Sequence, residues 1–317
     1  MANEVSHFGI SARMQYLMCL IGQKEVFEEG AETFKEMLNV DVCDNQIKRV
    51  SEYYGSQLEV LIKKNCKKIL PALPVKKVNE YTYAMMDGSM LLTREDGWRE
   101  IKLGRLFNQS QIIDIQSGRR IISDSIFVSH LGNCHDFFLK FERHLVGIKK
   151  LVILGDGAKW IWVWVENNYP GAIQILDIFH ALEKLAMFAK QHYKNEQEMK
   201  TWLEVQKTKL LENQVEGVIE NLKSLRTKSK EATLKKNEVI TYFEENEDRM
   251  QYKTYREDGL MIGSGPIEAA HRNVIQGRLK LSGQKWSIDG AQAIANLRCY
   301  KKGNNWDIIL SLIKKAA

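Results

Sequence analysis

The chain has 317 residues, of which 44% are hydrophobic and 27% charged, and it carries a formal net charge of +6. That size gives room for two or three domains with a real core, and that balance excludes a disordered or collagen-like chain. Five scattered cysteines without a Cys-x-x-Cys pair argue against a disulfide framework or a zinc ribbon.

In chain order, residues 11–70 read as helices, because apolar residues recur at helical spacing in MQYLMCLIG, VFEEGAETFKEML and IKRVSEYYGSQLEVLI. NVDVCDN is a short break before the third helix, with Asp44 or Asn45 placed to cap it. Gln46, Lys48 and Arg49, taken as exposed on that helix, suit either a helix-turn-helix or a plain helical hairpin.

PALP at 71–74 reads as a linker. Beyond it YTYAMMD, SMLLTRED and WREIKLGRLF read as three strands, the last two joined by a hairpin at Asp96-Gly97. HDFFLKFERHLVGI has helical period, KKLVILGD is a strand, AKWIWVWVENN a helix and AIQILD a second buried strand. His130, Cys134 and His135 sit close in sequence without a second ligand pair, a weak pattern for zinc. From 178 to about 250 the pattern is helical and charged, and helices resume after GSGP at 263–266. Strands alternating with helices predict an α/β fold with mixed strand directions. No apolar run approaches the ~18 residues of a membrane span and no signal peptide follows Met1, so a cytoplasmic protein without membrane attachment is expected.

Five Asp-Gly pairs occur, and the ordinary reading of each is a turn. Only Asp87 and Asp156 terminate apolar runs, YTYAMM and LVILG. A carboxylate at the end of a buried strand sits at the sheet rim, where α/β proteins place ligands. Two such acids side by side repel unless a divalent cation joins them, and a third acid is then usual. Glu268, in the first turn of the helix opened by Gly265 and Pro266, is the candidate; a favourable helix-dipole position and an i,i+4 pair with Arg272 explain it as well. Asp177 ends another apolar strand and can cap the following helix, placing His180 in its first turn. From Ala269 onward nine Lys/Arg face two acids, which suits a polyanion or a solvated helical surface. Trp286, beside Lys285 and the pair Ser282-Gly283, suits stacking on an unpaired base, though core packing is the commoner use.

The succession MMDGS, GDGAKWIW, ILDIFHALE, a helical stretch, then GSGPIEAAHRNVIQGRLKLSGQKWS resembles bacterial insertion-sequence transposases of the DDE type, in the group related to Mutator-like elements. The resemblance covers roughly residues 10–317. It implies an RNase H-like mixed sheet with a helical N-terminal region and an all-helical insertion. The parts would be a helical region at 1–75, core at 76–180, insertion at 181–255, and the rest of the core with basic C-terminal helices at 256–317. It implies Asp87, Asp156 and Glu268 as catalytic ligands of two Mg²⁺ or Mn²⁺ ions, with His180 acting beside them and Asp177 in support. Arg272, Arg278, Lys280, Lys285, Trp286, Lys48 and Arg49 are the expected DNA contacts, and a homo-oligomer on DNA the expected assembly. The implied activity is metal-dependent phosphodiester hydrolysis at element ends followed by strand transfer. The alternatives are a metal-dependent nuclease of the same fold without strand transfer, or a non-catalytic DNA-binding protein. Relatives usually carry further DNA-binding sequence upstream, so a compact or N-terminally truncated member is expected.

Overall fold

A computed structural model describes residues 8–64, 71, 73, 80–116, 119–227 and 229–316. The expected linker at 71–74 therefore falls partly outside the described residues. The chain forms two compact units, one of Met1–Lys150 with Ile267–Ala317 and one of Leu151–Pro266. Both are built from helices and strands. The first unit pairs its strands antiparallel, with a separate two-stranded ribbon, and the second pairs its two strands parallel, so the mixed α/β expectation holds.

The first unit opens with three helices, α1 (Ala12–Gly22), α2 (Phe27–Leu38) and α3 (Asp44–Lys63). Ser11 caps α1 by accepting from the Met14 N–H, and Asn39 ends α2 in the left-handed conformation at φ 52°. The cap of α3 is Cys43, one residue before the Asp44 or Asn45 expected from the sequence. Gln46 is half-buried and its Oε1 accepts from the Cys43 N–H, so this side chain is used within the helix end instead of facing outward. The buried residues of α3 (Ile47, Val50, Ser51, Tyr54, Leu58, Ile62) recur at i, i+3, i+4 spacing, and the helix packs on α1 and α2.

Strands β1 (Thr82–Thr93) and β2 (Gly97–Asn108) form one long antiparallel hairpin, in register from Thr82↔Asn108 to Thr93↔Gly97. YTYAMMD and SMLLTRED are thus one strand instead of two. Asp87 lies in mid-strand opposite Leu103, not at a strand end. The Asp87-Gly88 pair reads as a turn in sequence, but its backbone is held in the ladder. The turn is made at Asp96-Gly97, where Gly97 has φ +68°. A ribbon of β3 (Ile112–Gln116) and β4 (Arg119–Ile122) follows, and β5 (Ile126–Leu131) pairs antiparallel with β2. Helix α4 (Cys134–Phe141) is capped by Asn133 and stacks Phe137 on Phe141.

The second unit begins with β6 (Leu151–Gly155), every residue of it buried. α5 (Lys159–Asn168) crosses over to β7 (Ile173–Leu176), which pairs parallel with β6 from Val152↔Ile173 to Gly155↔Leu176. Parallel neighbours require such a crossover, so WIWVWV, rich in strand-favouring residues, winds into a helix. Five helices follow: α6 (Ile178–His192), α7 (Glu196–Leu211), α8 (Val215–Ser224), α9 (Lys230–Asn246) and α10 (Tyr252–Glu257). Leu185, Phe188, Leu210, Val218, Leu222 and Phe243 are buried among them.

The chain re-enters the first unit through α11 (Gly265–Ala270), a π-helical turn (His271–Gln276) and α12 (Gly277–Leu279), then α13 (Ile288–Lys302) and α14 (Trp306–Ala316). Ser287 caps α13, accepting from the Gly290 N–H. Every residue of α13 from Gly290 to Tyr300 is buried. Its polar members are matched to backbone: Gln292 donates to Ser129 O and accepts from Leu131 N–H of β5, and Asn296 donates to Gly55 O of α3. No helix among the described residues is long and apolar enough to cross a membrane.

At Gly55 the backbone of α3 lies directly against that of α13. A Cβ there would lie 2.2 Å from the carbonyl oxygen of Ala293 and 2.8 Å from its Cα. Backbone cannot give way as a side-chain tip can. Gly55→Ala is expected to lower the unfolding free energy by roughly 1–3 kcal/mol, despite alanine's better helix propensity, as read by urea denaturation.

Candidate functional site

In the second unit, Asp156 directly follows buried β6 and is half-buried. Its Oδ1 accepts from the Ala158 N–H at 2.9 Å, and its backbone carbonyl accepts from Trp162 Nε1 at 2.7 Å. Both contacts fold the loop back on the start of α5. Gly157 is needed for close approach: a Cβ would sit 2.1 Å from the ring of Tyr242 on α9. The helical run after β7 thus packs directly against the loop that carries the acid.

Asp177 follows β7 and caps α6, as the sequence indicates. It is fully buried and accepts five hydrogen bonds: from the N–H groups of Phe179, His180 and Ser264, from Ser264 Oγ at 2.8 Å, and from His180 Nδ1 at 2.6 Å. Burial pushes its carboxyl up, but the bonds from His180 and Ser264 outweigh that and hold it below its ordinary value. With its lone pairs filled in this way, Asp177 orients its neighbours and has no capacity left for a metal. Ser264, absent from the sequence-derived candidates, is the partner that ties GSGP to this carboxylate.

His180, with a third of its side chain exposed, is pushed up to about 9 by its hydrogen bond to Asp177, against the opposing effect of burial; the charges of Asp177, Asp156 and Glu183 add to the shift. At neutral pH it is an imidazolium. Nδ1–H is held by Asp177, and the remaining donor is Nε2–H.

In the first unit, Asp87 is partly exposed and Oδ1 accepts from the Gly88 N–H at 2.6 Å. Beside it is His271, which no sequence signal singled out. Its Nε2 lies 3.1 Å from the Asp87 carbonyl oxygen and 3.7 Å from Oδ2, and its Nδ1 lies 3.4 Å from Ser89 Oγ. Asp87 and Ser89 share one face of β1, two residues apart. Burial lowers the His271 pKa, and the charge of Asp87 partly restores it. Glu268, exposed, is three residues before His271. The π-turn that starts at His271 re-aims its side chain, which sequence periodicity does not report.

The expected DNA contacts divide. Arg49, Arg272, Lys280 and Lys285 are exposed and Lys48 is half-buried. Arg278 is 1% exposed, its guanidinium 4.8 Å from the ring centres of both Phe27 and Trp286, with Nε donating to Gly22 O. Trp286 is also buried and donates to Leu279 O. These two side chains therefore pack inside the unit and are not presented on its surface, contrary to expectation. His130 belongs to a buried polar group with Lys140 and Glu59, and burial and the Lys140 charge lower its pKa to about 4.

Asp87, Asp156 and Glu268 supply hard oxygen donors in part-exposed or exposed positions, the donor type that Mg²⁺ accepts. Among the described residues no group of three or more His, Cys, Asp or Glu side chains is gathered closely enough to hold an ion.

A folded-state pKa raised from 6.5 to about 9 means the Asp177–His180 pair stabilises the fold fully below the ordinary histidine value and loses that contribution as pH rises through about 9. Wild-type stability is expected to fall across this window, and His180→Gln to flatten the fall. Histidine NMR titration should give a midpoint near 9 that returns toward 6.5 in Asp177→Asn.

No curated protein matches the chain. A family model described as an uncharacterised protein family, UPF0236, matches residues 133–309. The match takes in Asp156, Asp177, His180, Ser264, Glu268 and His271 and stops short of Asp87. Spanning more than half of the sequence, it places the chain in that family: the protein is a member of UPF0236.

Proposed function

We propose that the protein is a DNA transposase of the DDE type, with an RNase H-like core interrupted by the helical run Ile178–Glu257, acting in the cytoplasm as a homo-oligomer on DNA. The observation that carries the reading is the carboxylate of Asp156 immediately after a fully buried parallel strand, within electrostatic reach of an imidazolium that a buried carboxylate holds in place. An ionised acid and a cation at the end of central strands suit a phosphodiester substrate.

In this reading His180 directs Nε2–H at a non-bridging oxygen of the scissile phosphate, and Asp177 and Ser264 keep the ring in the orientation that allows it. Asp87, Asp156 and Glu268 would hold two Mg²⁺ or Mn²⁺ ions, which when bound supply activation of the attacking water and stabilisation of the leaving oxygen. Hydrolysis at the element's end frees a 3′-hydroxyl, and that hydroxyl displaces a 3′ oxygen in target DNA. Each step breaks one P–O bond and makes one, so no Ser, Cys or Tyr nucleophile is required. The exposed cations Arg49, Arg272, Lys280 and Lys285 would neutralise backbone phosphates, giving salt-dependent binding.

The test uses the full chain and the DNA ends that flank its gene. With Mg²⁺ or Mn²⁺, cleavage and joining to a target are expected. Asp87→Asn and Asp156→Asn should each lower cleavage by on the order of 10³-fold while leaving DNA binding in place. Cleavage without joining of pre-cut ends would assign a nuclease, and binding with no cleavage under any divalent ion would assign a DNA-binding protein.

A further inference from the structure

Within the first unit, Asp87 and Glu268 are carried by two segments far apart in sequence, Asp87 by β1 and Glu268 by α11. Carboxylates from separate segments serve one metal cluster only when their placement is held to about 0.5 Å. One contact that joins these segments is made by His271, a helical turn beyond Glu268 and 184 positions from Asp87.

His271 is 2% exposed, so its ring nitrogens have to be met inside the fold. Nε2 faces two acceptors, the Asp87 carbonyl oxygen at 3.1 Å and Asp87 Oδ2 at 3.7 Å, and therefore carries a hydrogen. Nδ1 faces Ser89 Oγ at 3.4 Å, a hydroxyl that can donate to it. The ring is thus held on both sides by two residues of one strand, and rotating it breaks both contacts.

A ring this buried is out of reach of a substrate. It is therefore not a general acid or base, and Ser89, His271 and Asp87 do not form a hydrolase triad. The 3.7 Å to Oδ2 is also too long for a hydrogen bond. Asp87 Oδ1 accepts from the Gly88 N–H, and Oδ2 makes no hydrogen bond among the described residues. His271 thus steadies the Asp87 peptide and leaves a carboxylate oxygen for a cation. Asp177, saturated by five donors, has no such oxygen.

We propose that His271 is a positioning residue for the metal site. Its Nε2–H, donated to the Asp87 carbonyl, holds the segment that carries Glu268 against β1 and sets the placement of the two carboxylates, while Ser89 fixes the ring that does this. The inference rests on the metal-dependent reading above and assigns a role to two residues that reading leaves unused.

The test measures Mn²⁺ binding to the full chain without DNA, by the paramagnetic resonance of the free ion, and then the Mg²⁺ concentration needed for half-maximal cleavage. His271→Ala should weaken Mn²⁺ binding by about 10–100-fold and raise the Mg²⁺ requirement in step, with metal-free DNA binding unchanged. His271→Gln, whose side-chain N–H can take the place of Nε2–H, should recover most of the loss. His271→Asn, which reproduces only the Nδ1 position, should not, and Ser89→Ala should fall between. The Gln and Asn comparison carries the test if the alanine variant does not fold. Mn²⁺ binding by folded His271→Ala equal to wild type overturns the proposal. So does an equal loss in Gln and Asn that follows their unfolding free energies in urea, since a merely structural role predicts that. A wild-type chain that binds no Mn²⁺ and cleaves nothing rejects the metal-dependent reading itself. One that binds and cleaves, with His271→Ala unchanged, rejects only the role of His271.

Discussion

A charge taken out of water has to be met by hydrogen bonds or by an opposite charge, and much of this protein is arranged around that requirement. Asp177 is met by five donors and converts its burial into a fixed orientation for His180. Lys140 is met by Glu59 at 2.7 Å, beneath a helix whose Gln292 and Asn296 answer backbone groups of β5 and α3. Arg298 is met by three backbone carbonyls. In each case the polar group fixes how two segments distant in sequence are joined, which a purely apolar contact of the same area would do less selectively. Arg278 departs from the pattern: its Nη2 is buried without a hydrogen-bond partner among the described residues, and its guanidinium lies against the rings of Phe27 and Trp286.

The same requirement separates acids that look alike in sequence. Asp156 and Asp177 both follow apolar strands, yet one is half-buried with a short loop around it and the other is sealed and saturated. The sealed acid supports the imidazolium; the half-buried one holds its loop onto the start of α5. Asp87 is different again, a mid-strand residue accompanied by Ser89 on its own face and by His271 from the π-turn. The π-turn inserts an extra residue into the helical path, so the side chains after Glu268 follow a different angular course from those of a regular α-helix.

Much of the architecture could be read directly. LVILG is a continuous apolar run, the pattern of a strand buried on both faces, and IQIL is apolar except for Gln174; both are strands. The cap at Asp177 that opens α6 and the hairpin turn at Asp96-Gly97 follow from local chemistry, because a cap or turn is decided within four residues. Asp87 misled because Asp-Gly is a turn dipeptide by propensity, and only pairing with β2 keeps the backbone extended there. Cys43 took the capping place of Asp44 because Gln46 reaches back to its N–H.

What the amino-acid sequence determined by itself is the set of elements, the acids that follow buried strands, and the motif order that sets Asp156, Asp177, His180 and Glu268 apart from other charged residues. Periodicity and capping are properties of neighbours along the chain, so they survive in one dimension. Tertiary structure alone decided which charges face water. Arg278 and Lys280 are two residues apart in the same basic run, yet one is clamped between Phe27 and Trp286 and the other is exposed. It also decided that Ser264 answers Asp177, that His271 stands beside Asp87, and that Glu52 and Arg278 share a cavity. These pairings join residues between 87 and 226 positions apart, and no local rule carries information over such distances.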